Sequence, residues 1–314
     1  MKKWPLYIFI LCSFSALGQD TAKGIYEANG RSVDYKKRQW LIGGLTAAGY
    51  GGSFLFLSQA WYKDYPRTSF HTFNDAGEWN QMDKAGHAWT TYHTSRLTTN
   101  MWRWAGIDDN KAVLYGTGSS LLYMLSIEYL DGHSSQWGWS WADVGSNFFG
   151  AALYAGQEGL WKDQKIGFKF SSSHKKYNDP ILKRRADALY GSSFQGRLLK
   201  DYNAQTYWLS ANIKSFFPQT GLPSWLNISF GYGSEGMFGG YQNLAYNEDG
   251  SLAFDRRDIK RYRQFYMAPD VDFTKIKTKN KVLQSVFSAL NVLKFPAPAL
   301  EFSNGSFKLK ALAY

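Results

Sequence analysis

The chain has 314 residues, of which 44% are hydrophobic, 18% aromatic and 19% charged, with one cysteine and a formal charge of +11. That apolar load excludes intrinsic disorder, and a single cysteine excludes an internal disulfide framework or an all-cysteine zinc site. A mean hydropathy of −0.40 argues against a conventional polytopic transporter. The charge is divided unevenly. Residues 1–160 hold 13 basic and 13 acidic side chains, whereas residues 161–314 hold 23 and 12, so the whole positive excess lies in the second half.

Lys2 and Lys3 precede an apolar run from Trp4 to Leu17, followed by Gly18, Gln19 and Asp20. A short basic region, an apolar core and a small-residue exit form a secretory signal, here spanning residues 1–18 with Ala16-Leu17-Gly18 as recognition site. Cys12 follows Ile10 and Leu11 where a lipid-attachment site needs small residues, so lipidation there is not expected. From Trp40 to Tyr62 no residue is charged. Those residues are enough to cross a bilayer, with Trp40 and Trp61-Tyr62 as interfacial anchors, or they form a buried core helix rich in small residues.

Three further helices are predicted: residues 83–104, opened by Asp83; 112–129, apolar until Glu128; and about 140–161, where Ser140 stands three residues before Asp143 like a capping box. Short turns at 106–110 and 131–138 separate them. Helices with such connections form an antiparallel bundle. Beyond Trp161 the segments 205–217, 225–233, 263–273 and 306–314 are short, aromatic and partly alternating, with Gly, Pro and Asn between them. They read as strands of an antiparallel region, interrupted by one amphipathic helix at about 279–293 with Val282, Val286, Leu290 and Leu293 on one face. The expected fold is therefore α+β: a membrane-apposed helical domain over 19–161, then a basic, aromatic β-rich domain over 162–314. Either an open sheet against the helices or a closed barrel suits those strands, the open sheet being preferred. The stretch 231–240, GYGSEGMFGG, lacks the features of a phosphate loop and reads as a turn with close backbone approach.

The helical half keeps a set of polar residues at helical spacing. Asp83 and His87 are four apart, as are Asp143 and Asn147, and Glu128 closes an apolar helix. Polar groups on apolar helices are costly to bury unless they meet one another. Two readings follow. The five side chains form a hydrogen-bonded buckle that fixes helix register, or they form an acid–base or metal site with His87 as the proton-transferring group and Asp83, Glu128 and Asp143 around it. Neither a cofactor nor a particular metal can be named from this pattern.

The strings DKAGHAWTTYHTSRL, Glu128-Tyr-Leu-Asp-Gly and WGWSWADVGSNFFGA resemble the YfiM-type domain of unknown function, described as a predicted periplasmic lipoprotein family. The spacing D-K-x-x-H, E and D-x-x-x-N-x-x-G is also similar, more distantly, to the VanZ-like helical membrane proteins. The resemblance spans residues 40–160 and is specific at Asp83, Lys84, His87, Glu128, Asp143, Asn147 and Gly150. It implies an envelope location and no settled reaction. Export makes nucleic acid an unsuitable partner for the basic run 256–266, and anionic envelope lipid a suitable one. The periplasmic side of a membrane, the outer membrane by preference, is the expected location.

Overall fold

A computed structural model describes residues 33–57 and 66–313. The expected signal segment, Cys12, residues 58–62 and Tyr314 lie outside them. The fold is α+β, with eight α-helices and eight strands among the described residues. Contacts divide these into two compact units, one mainly helical, the other built on a sheet.

The helical unit holds α1 (Tyr35–Leu57), α2 (Met82–Trp104), α3 (Asp109–Asp131) and α4 (Trp141–Trp161), with short turns joining α2 to α3 and α3 to α4. The first two turns of α2, up to Trp89, are counted with the sheet unit, and residues 279–289 with the helical one. The Asp108 carboxylate caps α3 by accepting from the amides of Asn110 and Lys111. Ser140 Oγ caps α4 by accepting from Asp143 N at 3.0 Å, as the sequence pattern implies. The turn after α2 is tight because Gly106 has φ +77°, and a Cβ there would fall 2.2 Å from the Tyr35 ring.

The interior of this unit is unusually polar. Thr91, Ser95, Thr98 and Thr99 of α2, Ser120 of α3, and Asn147, Gln157 and Glu158 of α4 are all buried. Thr98 Oγ1 donates to the Gly116 carbonyl at 2.9 Å, and Ser120 Oγ donates to the Thr91 carbonyl at 3.3 Å. Gly116 permits that approach, since a Cβ on it would lie 2.5 Å from Thr99 N. A smaller apolar cluster of Ile42, Met101 and Ala105 joins α1 to α2. Large apolar side chains instead point outward: Trp40, Leu55, Leu114, Leu122, Trp141 and Leu160 are each at least two-thirds exposed.

No helix among the described residues is long and apolar enough to cross a membrane. Residues 40–57, the described part of the stretch 40–62, therefore do not make a span by themselves. Nor is α1 a buried core helix, because Trp40, Leu41 and Leu55 are exposed and, among its described side chains, only Ile42 is fully covered. Glycines and hydroxyl residues dilute the helix below the hydropathy of a span, while its aromatic and leucine side chains still face outward.

The sheet unit carries β1 (Ile166–Ser172), β2 (Gln205–Asn212), β3 (Leu226–Glu235), β6 (Tyr262–Val271), β7 (Ala297–Ser303) and β8 (Ser306–Ala313) in the order β1-β2-β3-β6-β7-β8. Every neighbouring pair is antiparallel. The edges among the described residues are β1 and β8. A separate two-stranded ribbon pairs β4 (Leu244–Tyr246) with β5 (Leu252–Asp255). Three helices join the one expected after residue 161: α5 (Pro180–Tyr190), α6 (Phe194–Lys200) and the single turn α7 (Ile213–Phe216). Lys183, Arg184 and Arg185 stand on α5, which Asp179 caps and Pro180 opens. Tyr190 of α5 packs with Ala186, Phe238 and Phe254 into a second apolar cluster. The amphipathic helix α8 (Lys281–Leu290) is shorter than expected, and its apolar Val282 and Val286 are exposed while Ser288 is buried.

Candidate functional site

Asp83 and His87 lie on successive turns of α2, with His87 Nε2 3.9 Å from Asp83 Oδ1. Their approach begins in an unusual turn. Trp79, Asn80 and Gln81 all have left-handed backbone angles, with φ of 50°, 48° and 63°. Each such residue costs on the order of 1–2 kcal/mol in an L-amino-acid chain, and a tryptophan there is rare. Contacts inside the sheet unit, to which the turn belongs, hold it. Trp79 N donates to the Gly240 carbonyl at 2.8 Å, Asn80 Nδ2 donates to Ser234 Oγ at 2.8 Å, and Tyr232 Oη donates to the Asn80 carbonyl. Arg263 donates from Nη2 to Gln81 Oε1 at 2.6 Å.

Asp83 is well supplied with partners. Lys84 Nζ lies 3.1 Å from its Oδ2, and Tyr202 Oη donates to its Oδ1 at 2.9 Å. Burial works to raise the Asp83 pKa, but the His87 and Lys84 charges with the Lys84 and Tyr202 hydrogen bonds outweigh it, so the carboxyl is held below its ordinary 3.8. Tyr207 is pushed well above the usual phenol range, chiefly by burial and then by the Asp83 charge. Gly86 makes room for that phenol, because a Cβ at residue 86 would sit 3.0 Å from Tyr207 Oη.

On α4, Asp143 and Asn147 are both buried. Thr91, one turn beyond His87, donates from Oγ1 to Asn147 Oδ1 at 3.0 Å. Helices α2 and α4 run in the same direction, since Arg103 near the end of α2 pairs with Glu158 near the end of α4. Asp83 and His87 are counted with the sheet unit, whereas Asp143, Asn147 and the buried Glu128 of α3 are counted with the helical one.

A carboxylate beside an imidazole suits a divalent ion such as zinc, and equally a proton relay. The Lys84 ammonium on Asp83 already supplies a positive charge there, which lessens the demand for a cation. Of the other histidines, His133 Nδ1 lies 3.1 Å from the Thr68 carbonyl in the turn beside α3. Glu235 is engaged by Lys175 and Tyr262.

Sequence reasoning missed Thr91 as the partner of Asn147, Tyr202 as a donor to Asp83, and the left-handed turn. A threonine four residues after His87 was the one available signal, because it continues the same helical stripe. Tyr202 lies 119 residues from Asp83 and leaves no local pattern.

Residues 72–155 match the model of a family described as predicted periplasmic lipoprotein (DUF2279). The match takes in α2, α3 and most of α4, and with them all five residues singled out from the sequence. It is consistent with an exported protein of the cell envelope. No curated protein and no solved structure matches the chain.

Proposed function

We propose that this is a membrane-apposed protein of the cell envelope with a binding or structural role, engaging anionic envelope lipid or an envelope partner. The outward placement of Trp40, Leu55, Leu114, Leu122, Trp141 and Leu160 around a hydroxyl-lined interior carries this reading. Such a distribution suits an apolar or interfacial surrounding, where aromatic rings are favoured and small hydroxyl residues let helices pack closely. The positive excess of residues 161–314 favours an anionic surface, each lysine or arginine near it contributing about 1 kcal/mol. The outer membrane is our preferred location. In this reading Asp83, His87, Glu128, Asp143 and Asn147 are a buckle that fixes helix register.

A second reading has support from one observation, the approach of His87 Nε2 to 3.9 Å from Asp83 Oδ1. It makes the chain an enzyme on a lipid-linked or cell-wall substrate, with His87 transferring the proton. His87→Ala and Asp143→Ala separate the two. Under the buckle reading both variants lose thermal stability in step with any loss of complementation of a deletion strain. Variants that melt like the parent yet fail to complement would replace it with the enzyme reading.

A further inference from the structure

Along β3, β6 and β7 the two faces are inverted relative to a water-soluble sheet, whereas Phe168 of β1 and Tyr207 of β2 are buried. Along β6, Gln264, Ala268 and Asp270 are buried, whereas Phe265, Met267 and Pro269 are exposed. Along β7, Ala299, Glu301 and Ser303 are buried while Phe302 is exposed, and along β3 the buried Asn227, Ser229 and Gly231 alternate with Ile228, Phe230 and Tyr232.

The covered side is charged. Lys169 Nζ lies 2.8 Å from Asp270 Oδ2, with both side chains 1% exposed, and Lys294 Nζ lies 3.8 Å from Asp270 Oδ1. Ser210 Oγ donates to Asp270 at 2.6 Å, and Trp208 Nε1 donates to Ser171 Oγ at 2.8 Å.

The open side is apolar in two continuous rows. Strand register aligns Phe230, Met267, Leu300 and Leu309 across four strands, and beside them Tyr232, Phe265, Phe302 and Phe307. Phe230 is 54% exposed, Phe307 70% and Leu309 87%. Both ends of this band are basic and aromatic. Lys260, Arg261, Tyr262 and Arg263 stand where β6 begins; Trp225, Lys275 and Lys277 stand where β3 begins and just past the end of β6.

We propose that this open face of β3, β6, β7 and β8 lies against the acyl chains of an anionic membrane, with the basic residues at its two ends meeting headgroups. Apolar residues outward and polar residues inward, with period two and aromatic margins, are the arrangement that strands adopt when hydrocarbon rather than water covers their outer side. A soluble partner requires no such inversion, because an ordinary sheet keeps its apolar face for its own core. The flanking positive charge is complementary to phospholipid headgroups and unsuited to a second copy of the same basic surface. The proposal rests on the membrane-apposed reading above and adds the face, its depth and its chemistry.

Site-directed nitroxide labelling of the full chain tests it. Labels are placed at Phe265→Cys, Leu309→Cys and, on the opposite side of the strand, Lys308→Cys, each in a Cys12→Ser background. The membranes are vesicles of phosphatidylethanolamine with phosphatidylglycerol. Labels at 265 and 309 are expected to collide with dissolved oxygen in preference to a water-soluble nickel chelate, with the reverse at 308. Phe307→Asp with Leu309→Asp is expected to weaken vesicle binding by about tenfold or more, and both residues are exposed enough to be replaced without loss of the fold. If the protein floats with the vesicles while both apolar-face labels stay open to the chelate, the proposal falls and the membrane-apposed reading stands. Failure of the parent chain to float overturns both. Shielding of the labels in vesicle-free buffer, with a dimer in sedimentation, would assign the face to a second copy instead.

Discussion

The helical unit and the sheet unit both keep polar groups inside, but they satisfy them differently. In the helices the interior groups are mostly neutral hydroxyls, and they bond to the carbonyls of a neighbouring helix, as Thr98 does to Gly116 and Ser120 to Thr91. In the sheet the interior holds full charges, Lys169, Lys294 and Asp270, which lie against one another while Lys169 donates to the Val271 carbonyl and Lys294 to that of Phe295. The difference follows from side-chain reach. Helices that approach as closely as α2 and α3 leave room for a short hydroxyl and none for a lysine. The covered side of a sheet leaves a deeper space, and long charged chains can cross it to find partners. Neutral seams therefore tolerate loss of one bond, whereas a charged interior fails when one member is removed.

The sheet should accordingly be the easier unit to break. Asp270→Ala would leave Lys169 and Lys294 buried without their carboxylate, a loss on the order of 3–5 kcal/mol. Urea unfolding followed by far-UV circular dichroism would show it as a large fall in midpoint, and an unchanged midpoint would deny the charged interior its importance. In the helical unit the sharpest test is steric. Gly116→Ala forces a Cβ against Thr99 N and should cost about 1–3 kcal/mol, read as a lower melting temperature. Thr91→Val keeps the volume but removes the donor to Asn147, at about 1–2 kcal/mol. If Thr91→Val proved costlier than Asp270→Ala, the contrast between the units would be reversed.

The smallest expected effect is a pH dependence. The Asp83 carboxyl has its pKa lowered in the folded protein, so the stability it contributes is present above its ordinary 3.8 and is lost as pH falls through the lower folded value. Asp83→Asn should flatten the stability profile below pH 3.8 and leave its slope near neutrality unchanged. A parallel shift at all pH values would show that Asp83 acts through shape rather than charge.

Much of the helical architecture was legible because its signals are local. Ser140 three residues before Asp143 marked a helix start, and the four-residue spacings placed Asp83 with His87 and Asp143 with Asn147. The α+β division showed in the change from helical to alternating texture near Trp161. What escaped was whatever depends on distant partners or on backbone strain. Helix α5 has its one local signal in the Asp179-Pro180 start, just ahead of the basic run Lys183-Arg184-Arg185. The inversion of the sheet could not be assigned, since alternation alone shows that two faces differ and not which one is covered. Residues 40–62 looked long enough to span, yet glycine and hydroxyl content, not length, decides that question.

The left-handed turn at Trp79–Gln81 has a consequence for the order of folding. An isolated chain would not hold three such residues in succession, and the contacts that hold them come from Gly240, Ser234, Tyr232 and Arg263, more than 150 residues away. The helix that follows can form its middle and end from local interactions, but its opening turn must wait for distant strands. Asp83 and His87 thus take their places late, as the part of α2 whose position reports that the sheet has been completed.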